Sequence, residues 1–155
     1  MRVDLRDIDE ANFEECIDLG VREDQPFVAP NVYSIAESRV SPYWVIKAVY
    51  ADDFMVGFAM YALDIAADEL YLCRFMIDQR FQGRGYGKAA LDLLRSIALE
   101  TPGIRRMRLS TDPANADGIS FYKRFGFVDT GAMEDDEEVF VLDLPDGGRH
   151  ATGGS

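Results

Sequence analysis

The chain has 155 residues, 48% hydrophobic and 28% charged, with a formal net charge of −12, the make-up of one soluble domain able to bury a single sizeable core. So acidic a chain argues against nucleic acid as a partner, and no run approaches the ~20 apolar residues that span a bilayer. The two separated cysteines, Cys16 and Cys73, and the single histidine, His150, in the C-terminal segment argue against a Ser-His-Asp triad, a Cys-His pair or a histidine zinc site, so no metal is expected.

The N-terminal stretch MRVDLRDIDEANFEE is rich in carboxylates and lacks the apolar core of a signal peptide, so a cytoplasmic location with reduced thiols is the expectation. Val3 and Leu5 alternate with charged residues, as in a short first strand. Asp9 to Leu19 reads as a helix with Phe13, Cys16 and Ile17 on one face and Gly20 as its stop. Pro26 and Pro30 make QPFVAPN a rigid loop, and a short helix is expected from Ser34 to Arg39. Strands follow at Trp44 to Tyr50, Met55 to Leu63 and Glu69 to Ile77, with Asp52-Asp53 turning the first into the second. Their nearly unbroken apolar character suits the middle of a sheet.

Tyr86, Ala90, Leu93, Leu94 and Ile97 then recur at helical spacing until Pro102-Gly103 closes the run. Arg106 to Thr111 reads as a strand, and Asn115 to Phe125 as a helix ended by Gly126. The last strands are expected at Phe127 to Thr130 and Val139 to Leu144, joined by the acidic run from Glu134 to Glu138. The tail from Pro145 is expected to be disordered. Hairpins beside strand-helix-strand units imply a mixed sheet with helices on both faces.

Between the third strand run and the following helix lies FQGRGYG, Phe81 to Gly87. A glycine-rich turn that opens a helix can present backbone N–H groups to a phosphate. Two nucleotide motifs fail on spacing. A dinucleotide fingerprint starting at Gly83 meets Lys88 where a glycine or small residue belongs. A P-loop ending at Gly87-Lys88 meets Gln82 in place of glycine and Ala89 in place of Ser or Thr.

What fits is Gln82-x-x-Gly85-x-Gly87, the pattern Q/R-x-x-G-x-G/A. Downstream, Asn115, Gly118, Tyr122 and Gly126-Phe127 fit N-x-x-A/G-x-x-x-Y-x-x-x-G-F. Through these two segments the sequence resembles the GNAT N-acetyltransferase superfamily, over Val3 to Leu144. The resemblance implies an α/β (mixed α+β) fold, with a central, mostly antiparallel sheet of about seven strands flanked by about four helices. It implies one acetyltransferase domain over residues 1–144, followed by the tail 145–155, and acetyl-CoA as cosubstrate.

By that resemblance the turn Gln82, Gly83, Arg84, Gly85, Tyr86, Gly87 and Lys88 holds the pyrophosphate, with Arg84 and Lys88 adding charge. The strand end Phe75, Met76 and Ile77 pairs with the pantetheine arm, and an N–H at Met76 or Ile77 polarises the thioester carbonyl. Asn115, Phe121 and Tyr122 complete the cofactor contacts, and Tyr122 is the general acid for the departing thiolate. The resemblance leaves the base open. Diamine and polyamine acetyltransferases commonly carry an acidic residue close to position 73, where this chain has Cys73. Glu23 and Asp24, in the loop that walls the acceptor site in the family, are the candidate catalytic carboxylates, with Glu69 a further option.

The loop Gln25 to Asn31, the run Val56 to Tyr61 and Arg74 to Asp78 look similar to bacterial spermine/spermidine acetyltransferases. With the charge of −12, this points to a small-molecule amine, a polyamine or diamine, as acceptor. Tyr33, Tyr43 and Trp44 are candidates for cation–π contact with it, and the acidic run Glu134 to Glu138 for attracting it. A protein N-terminus or lysine is the alternative acceptor, and a non-catalytic CoA-binding sensor the alternative class. A homodimer is left open, and neither a nucleic acid nor a membrane is expected as partner.

Overall fold

The computed structural model describes residues 2–145, so the expected tail, apart from Pro145, lies outside the described residues. The elements run β1 (Val3–Arg6), α1 (Phe13–Asp18), α2 (Asn31–Val40), β2 (Val45–Ala51), β3 (Phe54–Asp64), β4 (Glu69–Ile77), α3 (Tyr86–Glu100), β5 (Arg106–Thr111), α4 (Ala116–Phe125), β6 (Val128–Glu134) and β7 (Glu137–Asp143). The order and type of these strands and α-helices follow the sequence expectation, and the structure adds a single 3-10 turn at Gln79–Phe81 ahead of α3 that the sequence reading did not expect. The strands form one seven-stranded sheet in the order β1-β2-β3-β4-β5-β7-β6. The β4–β5 pair is parallel, whereas β1–β2, β2–β3, β5–β7 and β6–β7 are antiparallel.

Element ends differ where side chains compete with the backbone. The first helix starts at Phe13 rather than Asp9, because Asp9 and Asn12 close a local turn. Asp9 N–H donates to Asn12 Oδ1 at 2.9 Å and Ala11 N–H donates to Asp9 Oδ1 at 2.8 Å, the alternative that short polar side chains offer to a helix. Helix α2 is longer than expected. The Pro30 carbonyl accepts from Tyr33 and Ser34 N–H, and growth stops at Ser41, ahead of Pro42. Strand β6 runs past Gly131, whose positive φ of 79° sits in a register break between Asp129 and Met133. There the glycine makes a bulge rather than a strand end.

Two compact units divide the chain: residues up to Ala62 with Leu72–Leu93, and Leu63–Tyr71 with the described residues from Leu94 onward. In the first, one cluster gathers Cys16, Leu19, Ala48, Tyr50, Met55, Phe58, Met60 and Met76, with Ile35, Trp44 and Cys73 packed on it. A second gathers Val49, Ala51, Val56, Tyr86 and Ala90, with Phe75, Ile77 and Phe81 packed on it. The alternation of Ala48 and Tyr50 with Val49 and Ala51 is the period-two signature of a strand covered on both faces. In the second unit Leu70, Leu94, Ala98, Ile104, Met107 and Phe140 are fully buried.

Candidate active site

The turn between β4 and α3 belongs to the first unit. Gly83 and Gly85 take φ of +77° and +85°, a region that L side chains enter only at a cost. A Cβ built on either glycine meets no atom within 4 Å, so open space lies before a bare backbone. Gly87, by contrast, lies inside α3. The first bond into that helix runs from Ala89 N–H to the Gly85 carbonyl at 3.1 Å, so the N–H groups ahead of it have no acceptor inside the helix. Arg84 and Lys88 are exposed. Lys88 pairs with Asp92 at 3.0 Å along the helix, and Arg84 lies 5.8 Å from the Phe81 ring centre. Tyr86 is buried and anchors α3 to the sheet beside Phe75, Ile77 and Phe81.

Gln82 is turned back into the protein. Its Nε2 donates to the Ile77 carbonyl at 2.9 Å and to Gln25 Oε1 at 2.9 Å. Just before the turn stands Asp78, a buried residue at 2% exposure. Its carboxylate accepts from Gly20 N–H at 2.9 Å, Arg80 N–H at 2.9 Å and Arg80 Nε at 2.8 Å. Burial pushes this carboxyl up, but the Arg80 and Gly20 donors outweigh it and hold it below the ordinary aspartate value. Gln25 and Asp78 were given no role on sequence grounds. An Asp before a short helical turn is a capping signal, whereas nothing in the chain singles out Gln25.

The end of β4 is shaped by its neighbours. Cys73 packs on the cluster that faces α1 and α2, and the adjacent Arg74 donates to Glu37 Oε1 on α2 at 2.5 Å. Consecutive residues thus face one side, and alternation resumes with Phe75 and Met76. Such a phase slip is what a β-bulge produces. On β3, Gly57 admits the strand end closely: a Cβ there would stand 2.4 Å from the Met76 carbonyl oxygen. Asp78 N–H then donates to the Val56 carbonyl at 2.8 Å.

The loop carboxylates Glu23 and Asp24 are exposed, and Asp24 pairs with Arg22 at 3.2 Å. Of the candidate aromatics, Tyr33 lies against the Arg74 guanidinium at 5.4 Å, and Tyr43 and Trp44 pack edge to face at 4.8 Å. Burial pushes the Cys16 thiol up to about 12, which makes it inert, and Asn31 Nδ2 reaches the Cys16 carbonyl at 2.9 Å to pin α2 to α1.

In the second unit, Asn115 caps α4. Its Oδ1 accepts from Gly118 N–H at 3.1 Å and its Nδ2 donates to Thr111 Oγ1 at 2.9 Å. A Cβ on Gly118 would fall 2.3 Å from Asn115 Nδ2, which is the reason for a residue without a side chain at that slot. Tyr122 is half-buried and packs against Phe121 at 5.4 Å and Phe127 at 5.8 Å between ring centres. Desolvation pushes its phenol pKa up. Its hydroxyl makes no hydrogen bond among the described residues. No buried side-chain polar atom there lacks a partner, so the hydroxyl keeps some solvent access.

Glu69, the further candidate for the base, is held in ion pairs. It is buried, and Arg108 Nε and Arg106 Nε approach it at 2.8 and 3.4 Å. The acidic run is also engaged, with Glu134 on Arg108 at 2.9 Å and Glu137 on Ser110 at 2.8 Å. These groups form a polar ladder across one face of β4, β5, β6 and β7. Among the described residues no group of His, Cys, Asp and Glu side chains could hold a metal, and no helix is long and apolar enough to cross a membrane.

Comparison with known proteins gives these features a context. The chain is 30% identical over 152 residues to a spermine/spermidine N(1)-acetyltransferase of Bacillus subtilis, covering 93% of this chain and all of the relative. It is 36% identical over 102 residues, 61% of this chain and 67% of the relative, to the ribosomal protein bS18-alanine N-acetyltransferase of Salmonella typhimurium. Among solved structures, the PaiA N-acetyltransferase of Thermoplasma acidophilum, in complex with coenzyme A, shares the fold at a TM-score of 0.69 and 17% identity, over 93% of this chain and 100% of that one. The model of the acetyltransferase (GNAT) family matches residues 3–127, and the chain belongs to that family.

Proposed function

We propose that this acetyltransferase passes the acetyl group of acetyl-CoA directly to a primary amine of a polyamine, a diamine or a similar small cation. The observation that carries the donor half is the turn before α3. Two glycines at positive φ with open space before them, and a helix N-terminus behind, fit a pyrophosphate. The bound thioester supplies an activated acetyl group.

The chain's own residues do the rest. Backbone N–H groups from Gly83 to Lys88 hold the pyrophosphate, and Arg84 and Lys88 add positive charge. The backbone at Phe75, Met76 and Ile77 aligns with the pantetheine arm as an added strand would. Asn115 keeps one amide hydrogen beyond its bond to Thr111, enough to meet a pantetheine carbonyl. An alkylammonium must lose a proton before it can attack. Glu23, exposed and without an ion pair among the described residues, is more available for this than Asp24, which Arg22 holds. As the carbon–nitrogen bond forms and the carbon–sulfur bond breaks, Tyr122 gives its proton to the leaving thiolate.

The acceptor class is supported by the net charge of −12 and by the full-length relative named for spermine and spermidine. The relative named for the bS18 alanine favours a second reading, a protein N-terminal amine. Release of CoA thiol, measured with acetyl-CoA against diamines, spermidine, spermine, amino acids and peptides, separates the two. Turnover of spermidine and diamines is the expected result. Turnover of peptides alone would move the acceptor to protein termini, and tight acetyl-CoA binding without thiol release from any amine would leave a CoA-binding module.

A further inference from the structure

We propose that Gln82 and Gln25 form a latch through which an occupied phosphate turn positions the acceptor loop, and that Gln82 is a positioning residue rather than a phosphate ligand. The inference rests on the assignment of the turn to the pyrophosphate and deepens it. An amide nitrogen carries two hydrogens. Both of those on Gln82 are in use, one on the Ile77 carbonyl and one on Gln25 Oε1, each at 2.9 Å. The Ile77 carbonyl can only accept, which fixes the orientation of the Gln82 amide, and Gln25 must then present its oxygen. What Gln82 has left to offer a ligand is an amide oxygen, which a phosphate repels.

A second tie lies at the other end of the same loop. Gly20 donates its N–H to the buried carboxylate of Asp78 at 2.9 Å, and Gln79 N–H returns a bond to the Gly20 carbonyl at 2.8 Å. The stretch from Val21 to Asp24, which carries both candidate base carboxylates, is therefore slung between two anchor points. Both anchors land on the segment from Ile77 to Gln82, directly ahead of the glycine turn. An anion gripped by the N–H groups from Gly83 onward fixes Gln82, hence Gln25, and hence the reach of Glu23 and Asp24. Donor binding thereby prepares the amine site.

Hydrogen–deuterium exchange with and without CoA tests this without any amine. In the parent protein CoA slows exchange at residues 83–88 and also at 20–25. In Gln25→Ala the turn is still protected and the loop is not. Gln25→Glu keeps an oxygen for Gln82 and restores the loop's protection. Gln82→Ala keeps CoA affinity within about twofold, since the two neutral hydrogen bonds it loses both lie inside the protein and no phosphate contact is lost. With spermidine as acceptor, Gln25→Ala lowers kcat/KM by about fivefold, with a fall in kcat because the base carboxylates lose their position, and Gln25→Glu recovers it. Protection of 83–88 without 20–25 in the parent overturns the latch alone. Protection of neither overturns the turn's assignment and the latch with it. A loss of CoA affinity of about tenfold or more in Gln82→Ala makes Gln82 a phosphate ligand after all.

Discussion

Tyr122 combines the two properties that a proton donor to sulfur needs. Its ring is held by Phe121 and Phe127, and desolvation raises the phenol pKa, so the proton stays on throughout the neutral range. The sign is definite. A raised folded-state pKa means the protonated form is the one the fold favours, so the contribution is complete below the ordinary phenol value of ~10 and is lost as pH rises through the folded pKa. Tyr122→Phe should lower kcat by about a hundredfold with unchanged acetyl-CoA affinity, as expected for loss of a general acid. A kcat profile of the parent protein should show no Tyr122-dependent fall below about pH 10. A limb near neutrality that vanishes in Tyr122→Phe would contradict the assigned role. At this scale Tyr122 was legible only through its motif, because its spacing from Ile119 and Phe125 suits a plain packing residue equally well. Glu69 shows the opposite case. It reads as a spare carboxylate until the parallel register of β4 and β5 sets Arg106 opposite it and Arg108 two residues on.

The turn before α3 and the start of α4 are built by glycines for different reasons. Gly83 and Gly85 need positive φ and face open space, so Gly83→Ala and Gly85→Ala should each strain the turn by about 1 kcal/mol or more. Acetyl-CoA affinity, read by calorimetry, should fall accordingly while the rest of the fold is kept. Gly118 has ordinary backbone angles, and its lack of a side chain serves the Asn115 cap. Gly118→Ala should therefore displace that cap and cost about 1–2 kcal/mol in a denaturant titration. A neutral result would mean that the Asn115 amide is not what occupies the space. The element types were readable from hydrophobic period and turn residues. The starts of α1 and α2 and the extension of β6 were not, because Asx turns, a capping proline carbonyl and a bulge glycine act through local hydrogen bonds that periodicity does not record.

A net charge of −12 gives the whole molecule a field that gathers cations and is screened by salt. If the acceptor is a polyamine, raising ionic strength from about 0.05 to 0.5 M should increase its KM several-fold, and that of a singly charged amine far less. Equal salt dependence for the two would count against a polycationic acceptor. Order and type of elements, the glycine turn and the N-x-x-G-x-x-x-Y segment were all determined by the sequence, because each is a local pattern of spacing and backbone freedom. Tertiary structure decided what the neighbours do to those residues. It engaged Glu69 with two arginines, closed Gln82 onto Gln25 and Ile77, and buried Asp78 under Gly20 and Arg80. Each of these contacts joins residues 37 to 58 positions apart, except those with Ile77 and Arg80, and no local pattern encodes which distant strand or loop will supply a partner.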